Sequence, residues 1–182
     1  MKVLLIWASP NTDGLTAAAA KELQKGVETA GVSPEMIHLN KQSIRHCLAC
    51  KDGWGDCKAK GACVIEDDFA MIYEKMKDAD GILFVTPVYW HDLAENLKSF
   101  LDRLRRCETA YNHFLGGKKC LIVACAGGTG LGAIECLHNL EQTLSHMKMS
   151  VADRLPIIRF NRAYMLPALA QAGAAFVKEL KK

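Results

Sequence analysis

Long apolar runs are missing from this sequence. No stretch approaches the roughly 20 consecutive apolar residues that a membrane-spanning helix takes, which argues against a span. A leader pattern is missing too: Lys2 precedes a short apolar run with no cleavage-like site after it, so a cytoplasmic location is expected. Nor is there an excess of one charge. The 23 Lys and Arg stand against 20 Asp and Glu for a net +3, and they form no basic tract interleaved with aromatics, so no nucleic-acid partner is expected. The closing Lys181-Lys182 pair reads as a solvated tail. Internal repeats and low-complexity linkers are absent, and so is any Ser-His-Asp or paired-carboxylate arrangement that would do chemistry with side chains alone.

What is present is a chain of 182 residues, half of them hydrophobic, enough for one large core and cramped for two, so residues 1–182 are read as one domain. Its eight cysteines fall into two groups. Cys107, Cys120, Cys125 and Cys136 sit in apolar contexts and read as small core residues, whereas Cys47, Cys50, Cys57 and Cys63 crowd one polar segment and read as a metal site or a redox group. Disulfides are disfavoured in a reducing compartment.

The chain is organised around Ser9-Pro10-Asn11-Thr12-Asp13-Gly14-Leu15-Thr16, which follows an apolar strand, Val3 to Ala8, and opens into a helix at Thr16. Such a junction aims backbone N–H groups and the positive end of a helix dipole at one spot, and the Ser and Thr hydroxyls add donors, so a phosphate can be held without a cluster of cations. The other reading is an ordinary helix capped by Asp13 or Ser9. Further on, Pro34 to Leu39 reads as a second strand in which His38 has a satisfied imidazole, and residues 40–65 as an irregular excursion holding the cysteine group. Asp67 or Asp68 is placed to cap a helix with Phe69, Ile72, Tyr73 and Met76 inward. Ile82 to Val85, bounded by Thr86-Pro87, reads as a strand buried on both faces. A helix from about Asp92 to Arg106 turns Leu93, Leu97, Phe100, Leu101 and Leu104 inward. Lys119 to Ala126 is a strand, Gly127 to Gly132 a glycine-rich loop and Ala133 to Met147 a helix. Val151 to Ile158 is the last strand, and Met165 to Leu180 the closing helix.

Five strands alternating with helices give an α/β three-layer sandwich, a five-stranded parallel sheet in the flavodoxin-like order 2-1-3-4-5, with ligands at the carboxyl ends of the strands. Three loops meet that condition: Ser9 to Thr16, Thr86 to His91, and Gly127 to Gly132. One has phosphate chemistry, one carries aromatics, and one has glycines that let backbone approach a flat ring. Together they describe a mononucleotide bearing a planar heterocycle. Tyr89 and Trp90 are alternatively core aromatics at a strand end, and Gly128-x-Gly130-x-x-Ala133 alternatively a variant dinucleotide fingerprint, though that motif belongs to the first strand–helix unit. Lys98, Asp102 and Arg103 read as exposed helix charges, with Lys98 and Asp102 at i,i+4. His91 could reach a ring edge but reads as a solvated loop histidine.

Taken in order, Ser9 to Thr16, Thr86-Pro87-Val88-Tyr89-Trp90, Lys98 with Asp102-Arg103, and Ala126-Gly127-Gly128-Thr129-Gly130 resemble the NAD(P)H-dependent FMN reductase and iron-sulfur flavoprotein group of the flavodoxin-like superfamily. The resemblance implies that Ser9, Asn11, Gly14, Leu15 and Thr16 hold the FMN phosphate. It also implies that Pro87, Val88, Tyr89 and Trp90 lie beside the isoalloxazine, with Gly127, Gly128, Thr129 and Gly130 along its other side. Asn11 stands where that family often has Arg, and Leu15 where it often has Asn, so fewer donors and less charge reach the phosphate. A homodimer is implied, because the helix bearing Lys98 often faces a partner subunit in that family. The implied function is electron transfer from NAD(P)H through FMN to a flavin, quinone or similar small-molecule or protein acceptor, the cofactor doing the chemistry. The alternative is an electron-carrier module with no small-molecule substrate, which the absence of a strongly acidic composition disfavours.

The iron-sulfur members carry a compact Cys-x2-Cys-x2-Cys-x4 to 7-Cys set before the third unit of the fold. Here the set is Cys47-x2-Cys50-x6-Cys57-x5-Cys63, with a longer second gap whose Gly53-Trp54-Gly55 could form its own turn and aim Cys57 elsewhere. Three occupants compete for this loop: a four-iron (4Fe-4S) cluster, a structural zinc, or none, with the thiols held by Trp54 packing. The cluster is favoured over zinc because a flavin neighbour gives it electrons to carry. Lys51, Lys58 and Lys60 are expected to offset thiolate charge.

Overall fold

The computed structural model describes all 182 residues. Five strands, β1 (Val3–Trp7), β2 (Glu35–His38), β3 (Gly81–Pro87), β4 (Lys119–Ala126) and β5 (Ser150–Ile158), pair in parallel in the order β2-β1-β3-β4-β5. Six helices connect and close them: α1 (Leu15–Thr29), α2 (Asp56–Lys60), α3 (Phe69–Asp78), α4 (Glu95–Thr109), α5 (Ala133–His146) and α6 (Arg162–Leu180). This is the flavodoxin-like architecture expected from the alternating pattern. β1, β3 and β4 are apolar along nearly their whole length because helices cover both faces of a parallel sheet.

Alternation along the strands sorts the core into two layers. Leu4, Ile6, Ile82, Phe84, Ile122 and Ala124 pack with α3, α4 and α5 in the larger cluster. Val3, Leu5, Leu83, Val85, Leu121 and Val123 face α1 and α6 in the smaller. Helices α1 and α6 approach closely: a Cβ built on Gly26 would stand 2.0 Å from the Ala170 carbonyl oxygen, and one on Gly173 2.6 Å from that of Leu23. The four cysteines expected in the core are there, and burial pushes the thiols of all four up to about 12.

Several local expectations need correcting. Neither Ser9 nor Asp13 caps α1; its N-cap position is Gly14, without a side-chain hydrogen bond. Asp68 occupies the N-cap position of α3 but accepts from the Ser43 N–H at 2.7 Å, and Asp67 instead reaches the Phe69 N–H at 3.2 Å. α4 starts at Glu95 rather than Asp92, because Asp92 closes a tight turn, and α6 starts at Arg162 rather than Met165. The 40–65 excursion contains a 3-10 turn, Leu39–Lys41, at its start and the short α2. Arg103 is not an exposed charge: it is 1% exposed and pairs with Asp67, 2% exposed, through two bonds of 2.7 and 2.9 Å.

Candidate functional site

The first loop leaves β1 at a fixed point. His38 stacks on Trp7 with ring centroids 3.7 Å apart, and its Nε2–H donates to the Ser9 carbonyl at 2.8 Å, since a carbonyl can only accept. The imidazole is satisfied, as expected of a strand residue. Ser9 Oγ then accepts from the Asn11 N–H at 3.1 Å, which curls the chain, and Asn11 packs on Gly14. With Gly14 at the N-cap position and no side-chain cap, the first-turn N–H groups of α1 keep no intrahelical acceptor. Ser9 and Thr16 are buried beneath them. That is a set of neutral donors facing one spot at the positive end of a fifteen-residue helix.

The second loop is a turn of unusual composition. Val88 N–H continues the ladder to the Cys125 carbonyl at 3.0 Å, and then Tyr89 and Asp92 exchange backbone bonds of 2.9 and 3.0 Å. Between them Trp90 and His91 both adopt positive φ, 48° and 68°. This is the φ pattern of a type I′ turn, which Asn-Gly fills without strain and which costs bulky side chains about 1–3 kcal/mol each. The strain is held from outside. Gly132, with φ of 81°, lies so close that a Cβ there would stand 2.6 Å from the His91 Cα. Asn139 Nδ2 donates to Asp92 Oδ1 at 3.3 Å, and the His91 ring lies 3.6 Å from the Glu135 carboxylate. Trp90 is left 97% exposed, so Tyr89 and Trp90 are not core aromatics.

The glycine loop completes the site. Nothing lies within 4 Å of a Cβ built on Gly127 or Gly128, so bare backbone forms that wall, while Gly130 packs on Ile158 at the end of β5. Two adjoining clefts result. One, about 330 Å³, is lined by Ser9, Pro10, Asn11, Gly14, Leu15, Thr16, Pro87, Tyr89, Cys125 and Gly127. The other, about 270 Å³, is lined by Val88, Trp90, His91 and residues 126–131. All the residues singled out in the three loops line one or the other, and no Lys or Arg does. At the floor, burial pushes the Cys125 thiol up to about 12 against an opposing bond from Thr16. Such a cleft can hold a phosphate by neutral donors and a flat ring against backbone.

The cysteine excursion is a separate place. Left-handed residues Ala49, Lys51, Asp52 and Gly53 make a tight turn, and α2 follows. The Gly53-Trp54-Gly55 segment does not turn Cys57 away: Cys47, Cys50, Cys57 and Cys63, all half-buried, line one cavity of about 20 Å³, room for about one water. No three His, Cys, Asp or Glu side chains converge where a single metal ion could sit. The lysines do not face the thiols in the expected way, since Lys51 and Lys60 pair with Asp56 at 3.5 and 2.9 Å. The cations that line the cavity are Arg103 and Arg106. Arg106 donates to the Gly53 carbonyl and stacks over Trp54, 4.9 Å from its centroid. Arg103 bonds Asp67 and the carbonyls of Arg45 and Ile65, and its buried Nε has no partner.

Sequence reasoning missed His91 as a lining residue, Cys125 beneath the cleft, and both arginines. The His91 signal was its place directly after Tyr89-Trp90; the arginines gave none, because the residues they hold are 36 and 53 positions away.

Comparison with known proteins identifies the family. The family model described as NADPH-dependent FMN reductase matches residues 1–160. An iron-sulfur flavoprotein of Methanocaldococcus jannaschii is 31% identical over 162 residues, 88% of this chain and 80% of that one. An NAD(P)H-dependent FMN reductase of Schizosaccharomyces pombe is 34% identical over 111 residues, 59% of this chain and 50% of that one. Among solved structures, an NAD(P)H:quinone oxidoreductase from Methanothermobacter marburgensis superposes with a TM-score of 0.73 at 21% identity, covering 97% of this chain and 96% of that one, a likeness of fold.

Proposed function

The chain belongs to the NADPH-dependent FMN reductase family and is an FMN-dependent oxidoreductase that uses NAD(P)H; from that premise we propose that it passes the electrons to a quinone, a flavin or a similar acceptor in the cleft formed by the Ser9–Thr16, Thr86–His91 and Gly127–Gly132 loops. The observation that carries the reading is the meeting of an uncapped helix N-terminus, exposed aromatics and bare glycine backbone in adjoining clefts at the carboxyl edge of the sheet. The residues fit FMN. Ser9, Asn11, Gly14, Leu15 and Thr16 would hold its phosphate, Pro87 to Trp90 one side of the ring, and Gly127 to Gly130 the other. Bound there, FMN supplies hydride acceptance and the return of electrons singly or in pairs. The chain's own residues bind it, orient it and set which acceptor reaches it.

Thr16→Asp places like charge against the phosphate and lowers FMN affinity several-fold to about a hundred-fold, read by flavin fluorescence titration. Unchanged affinity would place the phosphate elsewhere. Stopped-flow mixing with NADH and NADPH is expected to bleach the bound flavin, and a quinone to restore its colour. Failure with both nucleotides, while a chemical reductant works, would favour an electron carrier.

The reading extends to a four-iron cluster in the cysteine excursion. Its support is the four half-buried cysteines lining one cavity and the name iron-sulfur flavoprotein carried by a relative; against it, no three of these side chains converge as a metal site. As the cavity holds about one water, a cluster requires the Cys47–Cys57 segment to spread outward. Anaerobic reconstitution followed by iron, sulfide and zinc analysis tests it; substoichiometric values for all three leave a flavin-only reductase. No helix is long and apolar enough to cross a membrane. A cytoplasmic homodimer, with the exposed side of α4 at the contact, completes the reading.

A further inference from the structure

We propose that His91 is a catalytic acid of the cleft, donating a proton to the oxygen of the acceptor as it is reduced. The inference rests on the reading of the cleft as the site of NAD(P)H-driven acceptor reduction and supplies what that reading lacks. NAD(P)H gives up a hydride, which is two electrons with one proton, whereas a quinone becoming a hydroquinone takes two electrons and two protons. The balanced reaction, NAD(P)H + quinone + H⁺ → NAD(P)⁺ + hydroquinone, therefore needs a proton that neither reactant brings.

Among the residues lining the two clefts only Tyr89, His91 and Cys125 carry a titratable side chain. A phenol ordinarily ionises near 10, and burial pushes the Cys125 thiol up to about 12, so neither gives up a proton readily at neutral pH. Histidine is the side chain that does. His91 is also placed rather than loose. Its backbone is fixed at φ 68° in the strained turn, Gly132 packs against its Cα, and its Nδ1 lies 3.6 Å from Glu135. Those restraints seat the ring against Gly132, at the end of the glycine loop, where His91 lines the cleft, and a residue in so strained a position is over-determined by its surroundings, as strained residues at functional sites are.

The charged groups around it are few. Glu135 faces it from α5, Asp92 follows it in the turn and is held by Asn139, and the glycine loop, Gly127 to Gly132, contributes no titratable side chain. The step is then simple. The imidazolium N–H gives its proton to the acceptor oxygen as the hydride equivalent arrives, leaving neutral imidazole, and solvent reprotonates the half-exposed ring. Glu135, 3.6 Å from Nδ1, helps to orient the ring.

His91→Asn tests this, because asparagine adopts the left-handed conformation more readily than most residues and keeps the turn. Bleaching of the flavin by NAD(P)H is read first, so that each reoxidation starts from fully reduced flavin. Reoxidation by benzoquinone is expected to slow about a hundred-fold. Reoxidation by ferricyanide, which takes electrons singly and no proton, is expected to stay unchanged. Without turnover, ¹⁵N-histidine NMR is expected to show the His91 ring shifting when 1-naphthol, a redox-inert phenol of acceptor shape, is added. Equal slowing with both oxidants, or no slowing with either, overturns the proposal and leaves the functional reading standing; a His91 ring unmoved by 1-naphthol overturns it as well. Failure of NAD(P)H to bleach the flavin in the unaltered protein overturns the functional reading and this proposal together.

Discussion

The loops of the cleft start from strand ends whose ladders are paired on both sides, so their first residues have nowhere else to go: Ala8 N–H still bonds the Val85 carbonyl at 2.9 Å, and Val88 N–H that of Cys125 at 3.0 Å. The cysteine excursion leaves β2, wanders for more than twenty residues and returns to α3 with no sheet to guide it. Side chains hold it instead, Arg103 gripping Asp67, Arg45 and Ile65 while Arg106 grips Gly53 and Trp54. A backbone-built site is fixed by the fold itself, whereas a site held by two arginines of one helix depends on each of them. The two regions can therefore be damaged separately.

The largest effect is expected from Arg103→Ala. It leaves the buried Asp67 carboxylate with only the half-exposed Arg45, 3.8 Å away, as a cation, and breaking a buried pair this way costs about 3–5 kcal/mol. Urea unfolding at pH 7 reads the loss, while FMN affinity is expected to stay within about twofold, since Arg103 lines the cysteine cavity and neither part of the cleft. The pH dependence has a definite sign. Burial pushes Asp67 up, but the Arg103 donors with the Arg45 and Phe69 backbone N–H groups pull it further down, so it ionises below the usual carboxylate range. Its folded value being depressed, its contribution is present above the ordinary value of about 4 and lost as pH falls through the folded one. The gap between the two proteins should narrow on acidification. A gap constant from pH 7 to 3 would mean that the ion pair is not what holds the excursion.

Gly132→Ala attacks the other region. The positive φ disfavours any side chain, and the new methyl would collide with the His91 Cα, so about 1–3 kcal/mol is expected to be lost as the Tyr89–Asp92 turn shifts. FMN affinity should fall with it. The cysteine thiols should react with a maleimide at unchanged rates, whereas in Arg103→Ala they should react faster. Falling affinity together with faster thiol labelling in Gly132→Ala would show that the two regions are coupled after all.

The same contrast decides what the sequence revealed. Strand order, strand bounds to within about a residue or two and all three cleft loops were legible, because apolar runs such as Ile82–Val85 and the small polar residues after them are local patterns. The Tyr89–Asp92 turn was not, since positive φ at both central residues is announced by Asn or Gly and here falls on Trp90 and His91. Arg103 was misread for a different reason. On α4 it sits among charges, and only the return of the chain at Asp67, 36 residues earlier, gives it a partner. Side-chain tethers over such distances leave no periodic trace, so the sequence showed that four cysteines crowd the excursion but not its shape.

The smallest effect is expected one turn away from the largest. Lys98 Nζ stands 2.6 and 2.7 Å from the two oxygens of Asp102, a geometry as short as that of the Arg103–Asp67 pair five residues on. Distance alone would rank the two together. Burial separates them: the Lys98 and Asp102 side chains are 45% and 42% exposed, so water solvates both charges whether or not they meet, and neither is stranded when its partner goes. As an i,i+4 pair on an exposed helix face it is worth about 0.3–0.5 kcal/mol. Lys98→Ala is accordingly expected to change the urea midpoint barely beyond error in 0.15 M salt, and to leave both FMN affinity and thiol labelling unchanged in the monomeric chain. A loss above about 1 kcal/mol that disappears on dilution would have another origin: this face of α4 would be covered by a second copy, and the homodimer contact of the functional reading would run through Lys98.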